Sequence, residues 1–474
     1  RTSLTKAARG IRQHRSRNEE MDSGLMKYLD VYQFIRDRLV PVQLSPQREP
    51  EEEETPDLDP IECTSFEELL SYFFAKDALE HTPEIEHCLA SMLAVVISTT
   101  ITGGQLGLRV YGPAGSTKST LAEALAPCKS LVYARSKFTG FVSGWSSIRK
   151  SENIANKVNG KCIIIKDADT LLQLQNLKQI ESEIRDAMGD GVIRAEYRTG
   201  REFEIHTLFT MIMCGTDAIK QMDDVLLGAR FLDIRIFEPG TDAKPIVRRA
   251  IKSQFSTIWS QLSGEKSYSN NNGSNRPRKE IILKLAPPAM GFMLHKKQQI
   301  DSKALRGTPL TPGQEERLLA MGELTAFMRM KVKRSFDGEI SRRIQKEIPS
   351  RLGEQFVRLV SFLGIVYQDS NQIKISDKEF AVTTKILLDT ADGFPLEIVR
   401  TLHKNAKGGC TTDDLHKALG ISETKIREIV TDLRETGVVI LEHQASNPHW
   451  RAGRKVNIYG LTPEIQKLCS KVGL

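Results

Sequence analysis

The chain has 474 residues, enough for two or three domains of ordinary size. Its apolar fraction of 40% is that of a globular chain, and no apolar run reaches the roughly 18 residues a membrane-spanning helix needs. The net charge of +7 is mild for this length, compatible with a nucleic-acid partner without requiring one. The seven cysteines form no C-x-x-C pair, which points to reduced thiols in a core rather than a disulfide framework or a zinc site.

Residues 1–18 are rich in Arg and Lys and read as a basic tail; a short helix is expected over 28–39. The first residue is Arg rather than Met, which leaves room for a leader or a domain upstream. Glu51-Glu52-Glu53-Glu54, flanked by Pro50, Pro56 and Pro60, repels itself and buries nothing, so 1–62 is expected to be tail, helix and linker. From Ser65 the spacing turns helical, with Phe66, Leu69, Leu70, Phe73 and Phe74, and a second helix is expected from Pro83 to Ser98. A strand over 106–111 follows. Strands then alternate with helices to about 240, the pattern of a parallel sheet between helices, an α/β fold. The Asn-rich stretch around 264–278 reads as a flexible loop within a mostly helical 241–390.

The strand over 106–111 leads into Gly112-Pro113-Ala114-Gly115-Ser116-Thr117-Lys118-Ser119, and Thr120 opens a helical run. This is a phosphate-binding P-loop, in which backbone N–H groups and a helix N-terminus converge on phosphates. Gly112, Gly115, Ser116, Thr117, Lys118, Ser119 and Thr120 are therefore expected to bind ATP, with Lys118 on the β- and γ-phosphates and Ser119 on Mg²⁺. Thr117 stands where the motif has Gly. Downstream, Cys162-Ile163-Ile164-Ile165 ends in Lys166-Asp167-Ala168-Asp169, an apolar strand followed by acids. Such acids hold Mg²⁺ and orient the attacking water in P-loop ATPases. Two readings stay open. Asp167 is the metal-side acid, or Lys166 occupies that position and Asp167 the following one, where a Lys repels Mg²⁺.

These residues resemble an AAA+ ATPase, and within that class the minichromosome-maintenance helicases. The resemblance covers roughly 85–390. The family's P-loop carries a small residue before the Lys, a slot Thr117 fits. Asn159-Gly160 with the acid strand is similar to the family's Asn-Gly-apolar-Asp-Glu-x-Asp motif. A hairpin over 192–197 and 202–206, with the basic tip Arg198-Thr199-Gly200-Arg201, stands where the pre-sensor hairpin does. Met211-Ile212-Met213-Cys214-Gly215-Thr216 is similar to the sensor-1 strand, with Thr216 as polar sensor. Leu226-Leu227-Gly228-Ala229-Arg230-Phe231 is similar to the segment whose Arg acts on a neighbouring subunit's γ-phosphate, although Leu232 intervenes before Asp233. Arg351-Leu352-Gly353-Glu354-Gln355-Phe356-Val357-Arg358-Leu359 resembles the lid motif whose first Arg is sensor 2. The resemblance implies an AAA+ core at 63–240 and a helical lid region at 241–392. It assigns catalytic roles to Asp167, Thr216, Arg230 and Arg351, and sets Arg198 and Arg201 against DNA. The family's N-terminal OB and zinc region has no counterpart, as in a divergent relative from a phage, plasmid or other mobile element.

The last stretch, 393–474, reads as a winged helix-turn-helix: helices near 395–402, 412–419 and 423–435, then strands over 438–442 and 456–459. Its third helix mixes Lys425, Arg427 and Arg434 with Glu423, Glu428, Asp432 and Glu435, so the basic loop with Arg451, Arg454 and Lys455 is the better phosphate-contacting surface. Protein contact is the other reading of this unit. The expected activity is an ATP-dependent DNA helicase or translocase of DNA replication. It would work as a homo-oligomeric ring, a hexamer, around single-stranded DNA, in the cytoplasm (of the host, if viral). The alternative is an AAA+ initiator, loader or transposition regulator for which ATP is an assembly switch; a chaperone-like AAA+ acting on protein is a third reading, against which the C-terminal unit counts.

Overall fold

The computed structural model describes residues 58–474 except 77, 136–137, 139, 142–152, 197–201, 223–226, 228–229, 331, 333–348 and 447–454; within 238–275 only 244, 248, 251 and 255 are described. The expected tail, helix and linker of 1–57 therefore lie outside the described residues. From Asp57 to Leu474 the chain is one compact unit.

Apolar strand runs dictate a sheet covered on both faces. The strands are β1 (Gly107–Tyr111), β2 (Val132–Arg135), β3 (Lys161–Ile165), β6 (Phe209–Gly215) and β7 (Phe231–Arg235). They form one parallel sheet in the order β2-β3-β6-β1-β7. The two-residue period sorts their side chains. Leu108, Val110, Cys162, Ile164, Ile212, Cys214, Leu232 and Ile234 join the core of one face, with helix α1 (Phe66–Phe73), α2 (Pro83–Ser98) and α3 (Lys118–Leu125). Ile163, Ile165, Met211, Met213 and Phe231 join the other. The single turn α4 (Ile154–Lys157) and α5 (Leu177–Asp190) cover that second face.

Helix α2 explains the long apolar run near 89–101. It is buried on nearly all sides, from Cys88 to Ser98, as a helix packed between layers must be. Thr82 caps it, the hydroxyl accepting the Ile85 N–H at 3.3 Å, and Pro83 opens it. Among the described residues no helix is long and apolar enough to cross a membrane. All seven cysteines are buried, in keeping with core thiols.

The hairpin forms as expected, β4 (Val192–Glu196) antiparallel to β5 (Glu202–His206), as a two-stranded sheet of its own. Its tip, with Arg198 and Arg201, lies outside the described residues. The remaining helices are α6 (Arg276–Asp301), α7 (Pro312–Arg329), α8 (Ser350–Tyr367) and α9 (Asp377–Thr390), with a short pairing of β8 (Arg306–Gly307) and β9 (Gln372–Ile373). The predicted loop around 264–278 ends earlier than expected: residues 276–278 are the first turn of α6, and 264–275 lie outside the described residues.

The C-terminal stretch folds as α10 (Phe394–Lys404), β10 (Cys410–Thr411), α11 (Thr412–Leu419), α12 (Glu423–Glu435), β11 (Val439–Ser446), β12 (Lys455–Leu461) and α13 (Pro463–Val472). The strand order is β10-β12-β11. Thr411 and Asp414 form the capping box of α11, and Ser422 caps α12. This stretch shares one apolar core with the helices before it. Lys471 on α13 also pairs with Glu316 on α7.

Candidate nucleotide site

Parallel strands align their C-terminal ends on one edge, where open α/β sheets place ligands. Tyr111 is level with Gly215, and Ile165 with Met213. The residues that follow are therefore neighbours on that edge: the loop after β1, Lys166 after β3 and Thr216 after β6.

The loop is built for close backbone approach. Gly112 has φ 151°, and a Cβ there would lie 2.9 Å from Ile236 Cγ2. Gly115 has φ 80° and Thr117 φ 64°, so left-handed residues bracket Ser116, the kind of backbone that forms an anion-binding nest. Helix α3 begins directly after, at Lys118. Among the described residues, no N–H from 114 to 120 donates to a protein acceptor; Leu121, bonded to the Thr117 carbonyl at 3.0 Å, is the first that does. Orphaned donors at a helix start, with the helix dipole behind them, fit a triphosphate.

Lys118 is 7% exposed. Its ammonium donates to the Gly112 carbonyl, the Pro113 carbonyl and Ser116 Oγ, each at 2.8 Å. No carboxylate among the described residues pairs with it. Burial holds its pKa below the usual lysine value. A buried cation resting on neutral oxygens is a ready partner for phosphate.

Thr117 at a left-handed φ shows why the motif favours glycine here. A side chain in that region costs about 1–2 kcal/mol, and the Thr117 hydroxyl bonds the Ser116 carbonyl at 2.5 Å. Thr117→Gly relieves the strain and gives back about 0.5–1 kcal/mol of chain entropy. A net stabilisation of about 0.5–1 kcal/mol is expected in urea unfolding. A loss of stability would show that the Thr hydroxyl contact outweighs the strain.

Lys166 donates its backbone N–H to the Arg135 carbonyl at 3.0 Å. Its ammonium lies 3.4 Å from Glu123 Oε1 on α3. Asp167 is exposed and starts a 3-10 turn, Ala168–Gln173. Asp169, which the motif reading left without a role, is the acid tied to the neighbouring strand end. Its Oδ2 accepts the Thr216 N–H at 2.8 Å, while its Oδ1 is buried without a hydrogen bond. The Thr216 hydroxyl accepts the Ala218 N–H at 3.3 Å, capping the turn Asp217–Gln221. The charged side chains that follow β3 on this edge are Lys166, held by Glu123, the exposed Asp167, and Asp169, whose charge acts on Lys118.

Arg230 and Arg351 sit at the other edge of the sheet. Arg230 precedes β7, and its carbonyl accepts the Gly107 N–H at 3.1 Å at the start of β1. Strand length sets this edge on the order of 15 Å from the loop. Arg230 is not a projecting side chain. It is 7% exposed, donates Nη1 to the Leu227 carbonyl at 2.9 Å and packs so closely on Gly189 of α5 that a side chain there would clash. Burial, with Arg351 and Arg185 nearby, lowers its pKa to about 10. Arg351 is exposed in the first turn of α8, whose Gln355 donates to the Gln105 carbonyl at 2.8 Å. Arg358, in the same motif, binds the end of α2: Nη2 donates to the Ser98 carbonyl at 2.7 Å and Nη1 to the Thr102 carbonyl at 3.2 Å.

Arg451 and Arg454 lie outside the described residues, and Lys455 begins β12, paired with Ser446. On α12, Lys425 pairs with Glu428 at 3.0 Å and Arg427 with Glu423 at 2.5 Å, so its own acids offset its charge. Neither a family model nor a curated protein matches the chain.

Proposed function

We propose that the chain is an AAA+ protein of minichromosome-maintenance type, in which ATP acts as a switch for assembling copies of the chain on DNA. The sheet order supports the AAA+ reading. The P-loop follows β1, and the sensor-like β6, the central strand, lies between β1 and the acid strand β3. The edge that carries Arg230 and Arg351 supports assembly. Both lie far from the chain's own loop, so a phosphate they reach belongs to another copy, as in a hexameric ring. Arg230 must leave its packing on α5 to do so, and a neighbour's triphosphate supplies the charge that draws it out. The C-terminal unit supports a winged helix, with phosphate contact carried by the loop bearing Arg451, Arg454 and Lys455.

The observation that carries the switch over the motor is Lys166, held by Glu123 on α3, which on one of the two readings of the acid motif takes the place of the metal-side acid. One feature favours the helicase reading instead: the separate β4–β5 hairpin, whose tip carries Arg198 and Arg201 and suits a strand in a central channel. Steady-state ATP turnover by the assembled protein, with and without single-stranded DNA, separates the two. The switch gives turnover no faster than Lys118→Ala in both conditions. Turnover that rises with DNA, and unwinding lost in the double variant Arg198→Ala, Arg201→Ala, establishes the motor.

A further inference from the structure

We propose that Gly189 is a storage notch for the Arg230 side chain, holding the arginine withdrawn in the single chain and so setting how readily copies assemble. This rests on reading Arg230 as the residue that reaches a neighbour's triphosphate.

Only the side chain of Arg230 is free to change place. Its backbone is pinned where the sheet begins. The Gly107 N–H donates to its carbonyl at 3.1 Å, and Phe231, the next residue, is level with Gly107 in the pairing of β1 with β7. A Cβ on Gly107 would lie 2.7 Å from that carbonyl, so a glycine is what lets the two segments meet this closely.

The guanidinium is held by shape. It lies on α5 where Gly189 has no side chain. A Cβ there would come within 2.4 Å of Nη2, 3.4 Å of Cζ and 3.5 Å of Nε. The contact runs along the head group, so even one methyl displaces the charged end of the side chain while the helix beneath stays as it is.

Charge does not hold it. Nη1 donates to the Leu227 carbonyl at 2.9 Å, the one side-chain hydrogen bond of Arg230 among the described residues, and no carboxylate there forms an ion pair with it. The charges acting on it are Arg351 and Arg185, which repel it, and Asp186 and Asp190, which attract it. Asp186 is already paired with Arg185, Nε to Oδ1 at 3.0 Å. A guanidinium 7% exposed and resting on one neutral acceptor is a costly burial. A phosphate on another copy gives it charge-assisted bonds that the notch does not. The apparent affinity between copies is then lowered by the fraction of chains that keep the arginine stored, and a substitution that empties the store restores it.

The test is assembly of the full-length chain as ATP is raised, followed by sedimentation velocity. Gly189→Ala is expected to reach half-assembly at about three- to tenfold less ATP than wild type. Arg230→Met is expected to stay single, yet to unfold in urea no earlier than wild type, because it exchanges a poorly compensated buried charge for an apolar side chain. The double variant Gly189→Ala, Arg230→Met should also stay single. Assembly of the double variant would show that the alanine acts without the arginine, and overturns the proposal. A Gly189→Ala chain that needs as much ATP as wild type, or more, overturns it as well. So does an Arg230→Met chain that unfolds earlier than wild type, since Arg230 is then a structural part of the sheet edge; this readout does not depend on how Gly189→Ala folds. A wild-type chain whose assembly ignores ATP, or an Arg230→Met chain that assembles as wild type does, overturns the underlying reading of Arg230, a different result from an ineffective notch.

Discussion

Asp233→Ala is expected to destabilise the fold by about 3–5 kcal/mol, a large share of the stability of a typical domain. Arg109 and Asp233 are directly opposite each other on β1 and β7, and each is 2% exposed. The pair is bidentate, Nε to Oδ1 at 2.6 Å and Nη2 to Oδ2 at 3.0 Å. Removing the carboxylate takes the bidentate partner from a guanidinium buried in the sheet interior, and that loss is the source of the cost. The loss also spreads to the sheet edge. The Asp233 N–H donates to Thr390 Oγ1 at 2.8 Å and the Arg235 N–H to Asp389 Oδ2 at 2.7 Å, so the end of α9 closes the outer side of β7. The double variant Arg109→Met, Asp233→Leu replaces both charges with apolar side chains, and should recover most of the stability. Urea unfolding decides it. A single-variant cost below about 1 kcal/mol would mean that water reaches the pair.

The same pair marks the limit of what can be read from the chain alone. Sheet strands were legible because a buried parallel strand is a run of apolar residues, and Cys162-Ile163-Ile164-Ile165 admits little else. Caps leave a local trace, because Thr82, Thr411 and Ser422 each accept an N–H three residues further on. The P-loop combined both kinds of signal. Side-chain pairing across the fold leaves no local trace. Arg109 and Asp233 are 124 positions apart, and an Asp that resembles part of an arginine motif turns out to serve β1. Arg230 shows the same limit, since its position before β7 follows from the motif but its burial on Gly189 depends on α5 packing beneath it. Lys166 is the sharpest case. Its spacing left two readings open, and only the contact with Glu123 on α3 shows which way the side chain runs.

Lys118→Ala is expected to weaken ATP binding by about a hundredfold or more, since charge-assisted hydrogen bonds to phosphate contribute roughly 1.5–3 kcal/mol each. In the free protein the ammonium rests on the Gly112 and Pro113 carbonyls and on Ser116 Oγ. Phosphate oxygens replace neutral acceptors with anionic ones, so the gain is large and specific to the bound state. Lys118→Arg should not rescue it, because a planar fork does not fit a pocket whose walls are the loop's own carbonyls. Proton linkage gives a second readout. Burial lowers the Lys118 pKa in the free protein, and a bound triphosphate raises it again. Below the free-state pKa the lysine is charged in both states and affinity is at its full value. Between the lowered and the restored pKa, binding takes up a proton, and affinity falls as pH rises, by up to tenfold per unit. Calorimetry at alkaline pH in two buffers of different ionisation enthalpy measures that uptake. An uptake near zero throughout the alkaline range, or one that persists in Lys118→Ala, would remove Lys118 from the phosphate site, because among the described residues no other lysine touches the loop carbonyls.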